Sequence, residues 1–248
     1  MLKAWKIRDG DGGRAAGAFQ FERLAVKVTR WRVILAGLGV AAYALGLVAM
    51  LPAEVVAPGD REAVGTVWHG QMALDGGFAA GWRTQPLASL AHLSLAERLR
   101  VTGPLTELNG QALVRPGRVL LRDLDGTASA RLISALAPGL PFACDADLRV
   151  AIEELALQGA PAGAGTVRSS PGDCTPAGGG TPSPLPALTG TFSADAAATT
   201  LILSRAGSDA TAASARVTPA GKVNLTIEPA GVGLFPGVNT PVSLETTL

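Results

Sequence analysis

The residues with the clearest capacity for chemistry are Cys144 and Cys174, the only cysteines in the chain. In an oxidising compartment two such thiols tend to pair, and the bond would close a loop that contains a Pro-, Gly- and Ser-rich stretch. A cross-link across a loop of this length stabilises a folded chain by about 3 kcal/mol. Two unrelated free thiols are the alternative. We predict the disulfide, which requires that both cysteines lie outside the cytoplasm.

Two aspartates and two histidines are the other candidates for a catalytic or metal site. Asp123 and Asp125 flank Leu124 near a turn, and strand alternation predicts both on one face. Such pairs occur in acid–base and calcium sites, but solvated turn residues have the same pattern. His69 and His92 match no metal-binding spacing, and no nucleophile elbow, HExxH or CxxC motif is present. The sequence therefore predicts no catalytic, metal or cofactor site and no enzymatic activity.

The segment that must position the rest of the chain is residues 33–53, which contain no charged side chain and no histidine. Because about 20 apolar helical residues cross the hydrocarbon core of a membrane, we predict a transmembrane signal-anchor helix over 33–53. A cleaved signal peptide is one alternative, since Ala42 and Ala44 have the spacing of a cleavage site, but the apolar run continues beyond them. A buried soluble helix is the other, although the run lacks a polar face.

The charges beside this segment predict its orientation. Residues 1–32 form a basic leader with eight Lys or Arg residues and three Asp or Glu residues. Basic segments stay on the cytoplasmic side, so residues 54–248 are expected to be exported. Arg30, Trp31 and Arg32 lie at the inner end, where basic and aromatic residues mark the membrane interface. The predicted location is a bacterial inner membrane, crossed once, with most of the chain in the periplasm.

The charge of the exported part excludes one class of partner. Residues 54–248 hold 13 basic and 17 acidic residues, so this part is mildly acidic. Nucleic-acid binding is not expected, because it needs a basic domain with interleaved aromatic residues. A small-molecule ligand is not expected either, whereas the inner membrane is an expected partner.

Alternating apolar and polar residues between turn signals predict an antiparallel β protein. Residues 65–73 are predicted as the first strand, followed by a turn at Asp75-Gly76-Gly77 and a return strand. Residues 147–157 are predicted as the clearest long strand, with a bulge near Glu153 and Glu154. Short helices are predicted after Pro86 and over 132–136. The predicted fold is mainly β, with one N-terminal transmembrane helix, curved antiparallel sheets and one or two short helices.

Composition divides the exported part further. Residues 159–187 are dense in Gly, Pro, Ala and Ser, and we predict a flexible insertion there. This insertion would separate a first β-rich half, residues 54–158, from a second, residues 188–248.

Six residues soon after the apolar segment form two short motifs, a Gly-Thr-x-Trp-x-Gly strand and a Trp-x-x-x-Pro-Leu turn. They are Gly65, Thr66, Trp68, Gly70, Trp82 and Pro86. With the strands that follow as far as residue 165, this order resembles the type II secretion system protein N family, also called general secretion pathway protein N. The second half departs from it, because Arg168 and Ser169 stand where the family has a Trp-containing strand.

The resemblance implies a non-enzymatic inner-membrane component of the machinery that exports folded proteins across the outer membrane of Gram-negative bacteria. It implies no catalytic residues, and other secretion-system subunits as partners. One alternative is a membrane-anchored β-sheet protein that binds or bridges lipid or glycolipid between the envelope membranes, which requires an open apolar concavity. Another is an anchored periplasmic hydrolase that uses Asp123 or Asp125.

Overall fold

The computed structural model describes residues 15–55, 62–136 and 139–247, and the chain divides into two compact units, Met1–Leu51 and Pro52–Leu248. The first unit contains one long helix, α1 (Ala15–Ala49). Within it, Arg30–Leu47 is long and apolar enough to span a membrane, and its side chains are exposed within the unit. Residues 1–14 of the predicted leader and residues 56–61 lie outside the described residues.

Helix α1 has different ends from the segment predicted over 33–53. Its described part starts at Ala15 and includes the Ala-rich end of the leader, whose residues have good helix propensity and continue the same helix. It ends at Ala49, before Pro52, which disfavours helical geometry in the residue that precedes it. Ala53–Val55 form a separate 3₁₀ turn.

The second unit is built from sixteen strands and two short helices among the described residues. The helices are α2 (Pro86–His92) and α3 (Arg131–Leu136). The strands are β1 (Ala63–Thr66), β2 (His69–Leu74), β3 (Phe78–Thr84), β4 (Leu95–Gly103), β5 (Thr106–Arg115), β6 (Arg118–Ser129), β7 (Phe142–Asp145), β8 (Asp147–Gln158), β9 (Gly163–Ser169), β10 (Gly172–Pro176), β11 (Ser183–Leu185), β12 (Leu188–Ala194), β13 (Thr199–Arg205), β14 (Thr211–Val217), β15 (Lys222–Ile227) and β16 (Val242–Thr247).

Thirteen of the strands form one antiparallel sheet in which neighbours in sequence are neighbours in space. Only β7, β10 and β11 leave this order, and they form a three-stranded sheet of their own. Many neighbours are joined by short turns, as hairpin geometry allows. Longer connections contain α2 between β3 and β4, α3 and β7 between β6 and β8, and β10 and β11 between β9 and β12. The predicted mainly β class, with one apolar N-terminal helix and curved antiparallel sheets, is therefore confirmed.

The register gives the large sheet two unlike faces. Residues directly opposite each other on neighbouring antiparallel strands point to the same side. One row of such partners is apolar and defines the inner face: Met72, Ala80, Val101, Leu108, Val150, Val167, Leu203, Ala213 and Ile227. The opposite side is the outer face, and one of its rows is polar: His69, Arg83, Arg98, Gln111, Arg122 and Glu154. Another outer-face row, beside α2, is apolar and mostly buried: Ala96, Leu113, Leu120 and Ala156.

Two buried clusters on the inner face require the sheet to curl around it. The first brings Leu74 and Phe78 of the β2–β3 hairpin together with Leu132 of α3 and Val150 of β8. The second joins β12 to β15 with the three-stranded sheet and with Phe235 of the C-terminal segment. The Gly159 N–H also donates to the Pro219 carbonyl at 2.9 Å, which ties the end of β8 to the β14–β15 connection. Curvature follows because strands distant in sheet order share one core.

The three-stranded sheet contains the two cysteines. Cys144 of β7 and Cys174 of β10 are directly opposite each other and form a disulfide. Cys174 is fully buried, and Phe142 stacks on Phe235 with ring centroids 4.9 Å apart. The disulfide therefore fixes the small sheet where it covers one end of the inner face.

The structure differs most from the prediction in residues 159–187. This segment contains strand β9, which pairs with both β8 and β12, and also β10 and β11. Its small residues allow close approach: a side chain on Gly163 would collide with Thr199 of β13. The predicted division into two β-rich halves is replaced by one continuous sheet, because the Gly- and Ala-rich stretch is an interior strand.

Other local predictions have mixed outcomes. The register of β8 shifts between Ile152 and Glu154, as the predicted bulge requires, and both short helices form. The single strand predicted over 65–73 is instead a hairpin, because Val67 and Trp68 form a turn between β1 and β2. Asp123 does not share a regular strand face with Asp125, since it occupies a bulge with a φ of 50°.

Candidate functional site

Five of the six motif residues meet at the β1–β2 hairpin and the strand beside it. Gly65 lies directly opposite Gly70, and Gly70 lies directly opposite Trp82 of β3. Thr66 ends β1, and its Oγ1 accepts the His69 N–H at 3.2 Å. The two glycines leave a space on the inner face, and the Trp82 ring occupies it. We call this group the tryptophan junction: Gly65, Thr66, Trp68, Gly70 and Trp82.

The tryptophan junction is fixed by hydrogen bonds as well as by packing. The Trp82 Nε1–H donates to the Val67 carbonyl at 2.9 Å, so the indole bonds directly to the hairpin turn. The Thr84 N–H donates to the Trp68 carbonyl at 2.8 Å. A methyl group on Gly70 would overlap the Trp82 ring, and Gly65 has a φ of 100°, which side chains disfavour. This geometry accounts for the identities of the motif residues.

Pro86, the sixth motif residue, begins α2 just after β3. The Ser89 Oγ of this helix donates to the Gln85 carbonyl at 2.9 Å and accepts the Ala96 N–H at 3.0 Å. Proline lacks an N–H group. It is tolerated at the start of α2 because the first N–H groups of a helix have no hydrogen-bond partner within the helix. Thus α2 is fastened between β3 and β4, next to the tryptophan junction.

The inner face is less well covered at the end of the strands that includes this junction. Trp82 and the apolar residues Leu99 and Leu121 are half-buried and lie outside the two buried clusters. By contrast, Phe78 and Leu108, near α3, are 3% and 6% exposed. The inner face is thus filled at one end and presents partly exposed apolar side chains at the other.

One carboxyl group lies within the partly exposed end. Glu97 is directly opposite Thr84 and Ala112, so its side chain is on the apolar inner face. Burial raises the pKa of Glu97 to about 6. The hydroxyl of Thr84 is also buried and has no hydrogen-bond partner in the described part of the chain. The neutral form of Glu97 is therefore favoured relative to an exposed glutamate.

The residues predicted at the membrane interface lie within α1. Arg30, Trp31 and Arg32 begin the apolar window, and Trp31 is 60% exposed within its unit. Exposure is the state expected of side chains that face lipid or head groups.

The structure brings no catalytic group together among the residues it describes. Asp123, Asp125 and His69 are exposed, and the described residues contain no cluster of three or more His, Cys, Asp or Glu side chains that could hold a metal. The inner-face carboxyl of Glu97 was missed from sequence, although Glu97 has the same strand parity as the apolar Leu99 and Val101 of β4. No protein-family model, curated protein or solved structure matches this chain.

The tryptophan junction predicts large effects for small substitutions. In Gly65→Ala, the new methyl carbon would lie 2.5 Å from the His69 carbonyl oxygen at an unfavourable φ. We expect a loss of about 2–4 kcal/mol in the free energy of unfolding, measured by denaturant titration of the full chain in detergent. Trp82→Phe keeps an aromatic ring but removes the hydrogen bond to Val67, and is expected to cost about 1 kcal/mol.

The matched control is Gly117→Ala. Gly117 also has a positive φ, 70°, but no atom lies within 4 Å of the added methyl group. It is expected to cost about 1 kcal/mol, from backbone strain alone. Equal losses for the substitutions at Gly65 and Gly117 would contradict the role assigned to the junction.

Glu97 predicts a dependence of stability on pH. Because its pKa is raised in the folded chain, the folded state binds more protons than the unfolded state between pH 4.5 and about 6. The free energy of unfolding should fall as pH rises through this range. Partial exposure reduces the size of the effect to about 1 kcal/mol.

Glu97→Gln should remove this decline and stabilise the chain at neutral pH, as measured by thermal unfolding across the pH range. Glu153→Gln, which removes an exposed carboxylate from β8, is the control and should retain the wild-type decline. If Glu97→Gln also retains it, Glu97 is not the group responsible.

Proposed function

We propose that this chain is a non-enzymatic inner-membrane component of a type II secretion system, similar to protein N, with its leader in the cytoplasm and its β unit in the periplasm. The observation that carries the proposal is the tryptophan junction. The motif residues that resemble the family converge on one hairpin and one neighbouring strand, which gives each of them a shared structural purpose.

The architecture supports a role in assembly rather than in catalysis. One helix able to cross a membrane is followed by a sheet whose terminal strands among the described residues, β1 and β16, each pair with one other strand, and Pro52 also forms a β-bridge with Thr66 of β1. Residues 242–246 of β16 are exposed, and an exposed strand edge binds extended segments of other proteins by strand addition. The partner in this proposal is another subunit of the secretion machinery.

A second function is favoured by one observation, the half-buried apolar residues around Trp82 and Leu121 on the inner face. An acyl chain would cover these side chains and remove apolar surface from water. The two filled clusters limit such a site to the end of the sheet away from α3. Lipid binding is therefore the alternative proposal for this chain.

Deletion and capture of the full chain test the first proposal. Deletion of the gene should leave secreted proteins in the periplasm, and cross-linking of the tagged chain in cells should capture secretion subunits. Lipid extraction of the same purified chain tests the alternative, which requires a stoichiometric amount of bound lipid. Normal secretion after deletion, with no captured subunit, would contradict the first proposal.

The edge strand offers a sharper comparison within the same assay. Successive N–H groups of β16 alternate between β15 and the open edge, so Ser243→Pro and Leu244→Pro remove N–H groups that point in opposite directions. Only one of these variants should lose the captured subunit while it keeps the thermal stability of the wild type. Capture by both variants would argue against docking at β16.

A further inference from the structure

The outer face of β3 to β6 carries a dense group of arginines. Strands β3 to β6 contain six arginines and four acidic residues, whereas residues 54–248 as a whole are acidic. Glu97 is on the inner face, and Glu107 pairs with Arg100 at 2.7 Å. Asp123 occupies the bulge of β6, Asp125 lies on the outer face, and Glu154 of β8 lies directly opposite Arg122. We call the group on the outer face the arginine row: Arg83, Arg98, Arg100, Arg115, Arg118 and Arg122.

Two members of the arginine row are held in an unfavourable arrangement. Arg83 and Arg98 are directly opposite each other on β3 and β4. Like charges at such positions repel and destabilise the sheet. Neither forms an ion pair with any residue that the structure describes. An anion bound between them would remove this repulsion.

The surface beside this pair has room for such an anion. Gly81 lies directly opposite both Gln71 and Arg100 on the outer face and contributes no side chain. A depression of about 540 Å³ results, and its lining includes His69, Arg83, Arg98 and Arg100. Guanidinium groups bind phosphate oxygens through paired hydrogen bonds, so phosphate chemistry suits the depression.

Chain connectivity favours a membrane as the source of that phosphate. Helix α1 ends at Ala49, and Pro52 already forms a β-bridge with Thr66 of β1. Three residues of extended chain span at most about 10 Å, so the β unit begins a short length of chain after the anchor. Such a tether presents lipid head groups at a high effective concentration, which no free acidic protein has.

We propose that the arginine row binds the phosphate groups of anionic phospholipids in the membrane that α1 crosses. Arg83 and Arg98 are the central contacts, and the depression over Gly81 receives the head group. This inference shares only the membrane anchor with the proposed function, and it holds whichever secretion subunit or acyl chain the sheet binds.

Titration of the full chain in neutral detergent with dihexanoyl phosphatidylglycerol tests the proposal, with dihexanoyl phosphatidylcholine as the uncharged comparison. A basic residue near an anionic surface contributes about a five-fold change in affinity, so R83Q/R98Q should bind phosphatidylglycerol about 25-fold more weakly. R83K/R98K keeps the charge but loses the paired hydrogen bonds, so its affinity should lie between those of the wild type and R83Q/R98Q. R205Q/R216Q, which removes two exposed arginines from β13 and β14, is the matched control and should bind as the wild type does.

Thermal unfolding of each variant provides a check on folding. R83Q/R98Q should be at least as stable as the wild type, because it removes the repulsion between β3 and β4. Equal affinity of the wild type for the two lipids, or unchanged binding by R83Q/R98Q, would overturn the proposal. Complete competition by inorganic phosphate would indicate a site for free phosphate, and tighter binding of polyglutamate would indicate an acidic protein partner; either result also overturns it.

Discussion

Continuous antiparallel pairing of thirteen strands is the constraint on which the rest of the β unit depends. Because directly opposed residues point to the same side, each strand must keep its apolar residues in phase with both neighbours. The bulge in β8 near Glu153 restores that phase where the sequence slips by one residue. The buried clusters, the polar row of the outer face and the positions of the arginines all follow from this register.

Several features could be predicted from local sequence because local chemistry determines them. Asp75-Gly76-Gly77 predicts the β2–β3 hairpin, and Pro86 predicts the start of α2. Strand β9 was missed because its Gly- and Ala-rich composition is typical of loops, and its pairing with β8 and β12 is a long-range effect. The turn at Val67 and Trp68 was missed because β-forming residues continue through it, whereas the Trp82 indole stabilises it from another strand.

The arrangement of the site residues also depends on long-range strand pairing, which local sequence does not reveal. The six motif residues could be named from sequence, but their convergence depends on the register between β1, β2 and β3. The arginine row shows this dependence more clearly. Arg83 and Arg98 are separated by α2 in the chain and become direct neighbours only because β3 pairs with β4. A net charge of −4 over residues 54–248 conceals this local excess of positive charge.

The two faces of the sheet and its anchor support a single physical account. Apolar side chains on the inner face stabilise the curl, and the disulfide between β7 and β10 fixes the layer that covers one end. The outer face and the open edges remain available for partners. In the function we propose, these surfaces are useful only if the anchor holds the β unit on the periplasmic side.

That topology is tested most directly by the redox state of the cysteines in growing cells. The account predicts that, in cells quenched with acid and then denatured, Cys144 and Cys174 resist alkylation by a maleimide until a reductant is added, since both lie in an oxidising compartment. Denaturation is needed because Cys174 is fully buried in the folded chain. A single cysteine in the leader, Ala4→Cys in a chain without the other two, should react without reductant. Immediate alkylation of both Cys144 and Cys174 in the wild-type chain would contradict the account, because it would place the β unit in the cytoplasm.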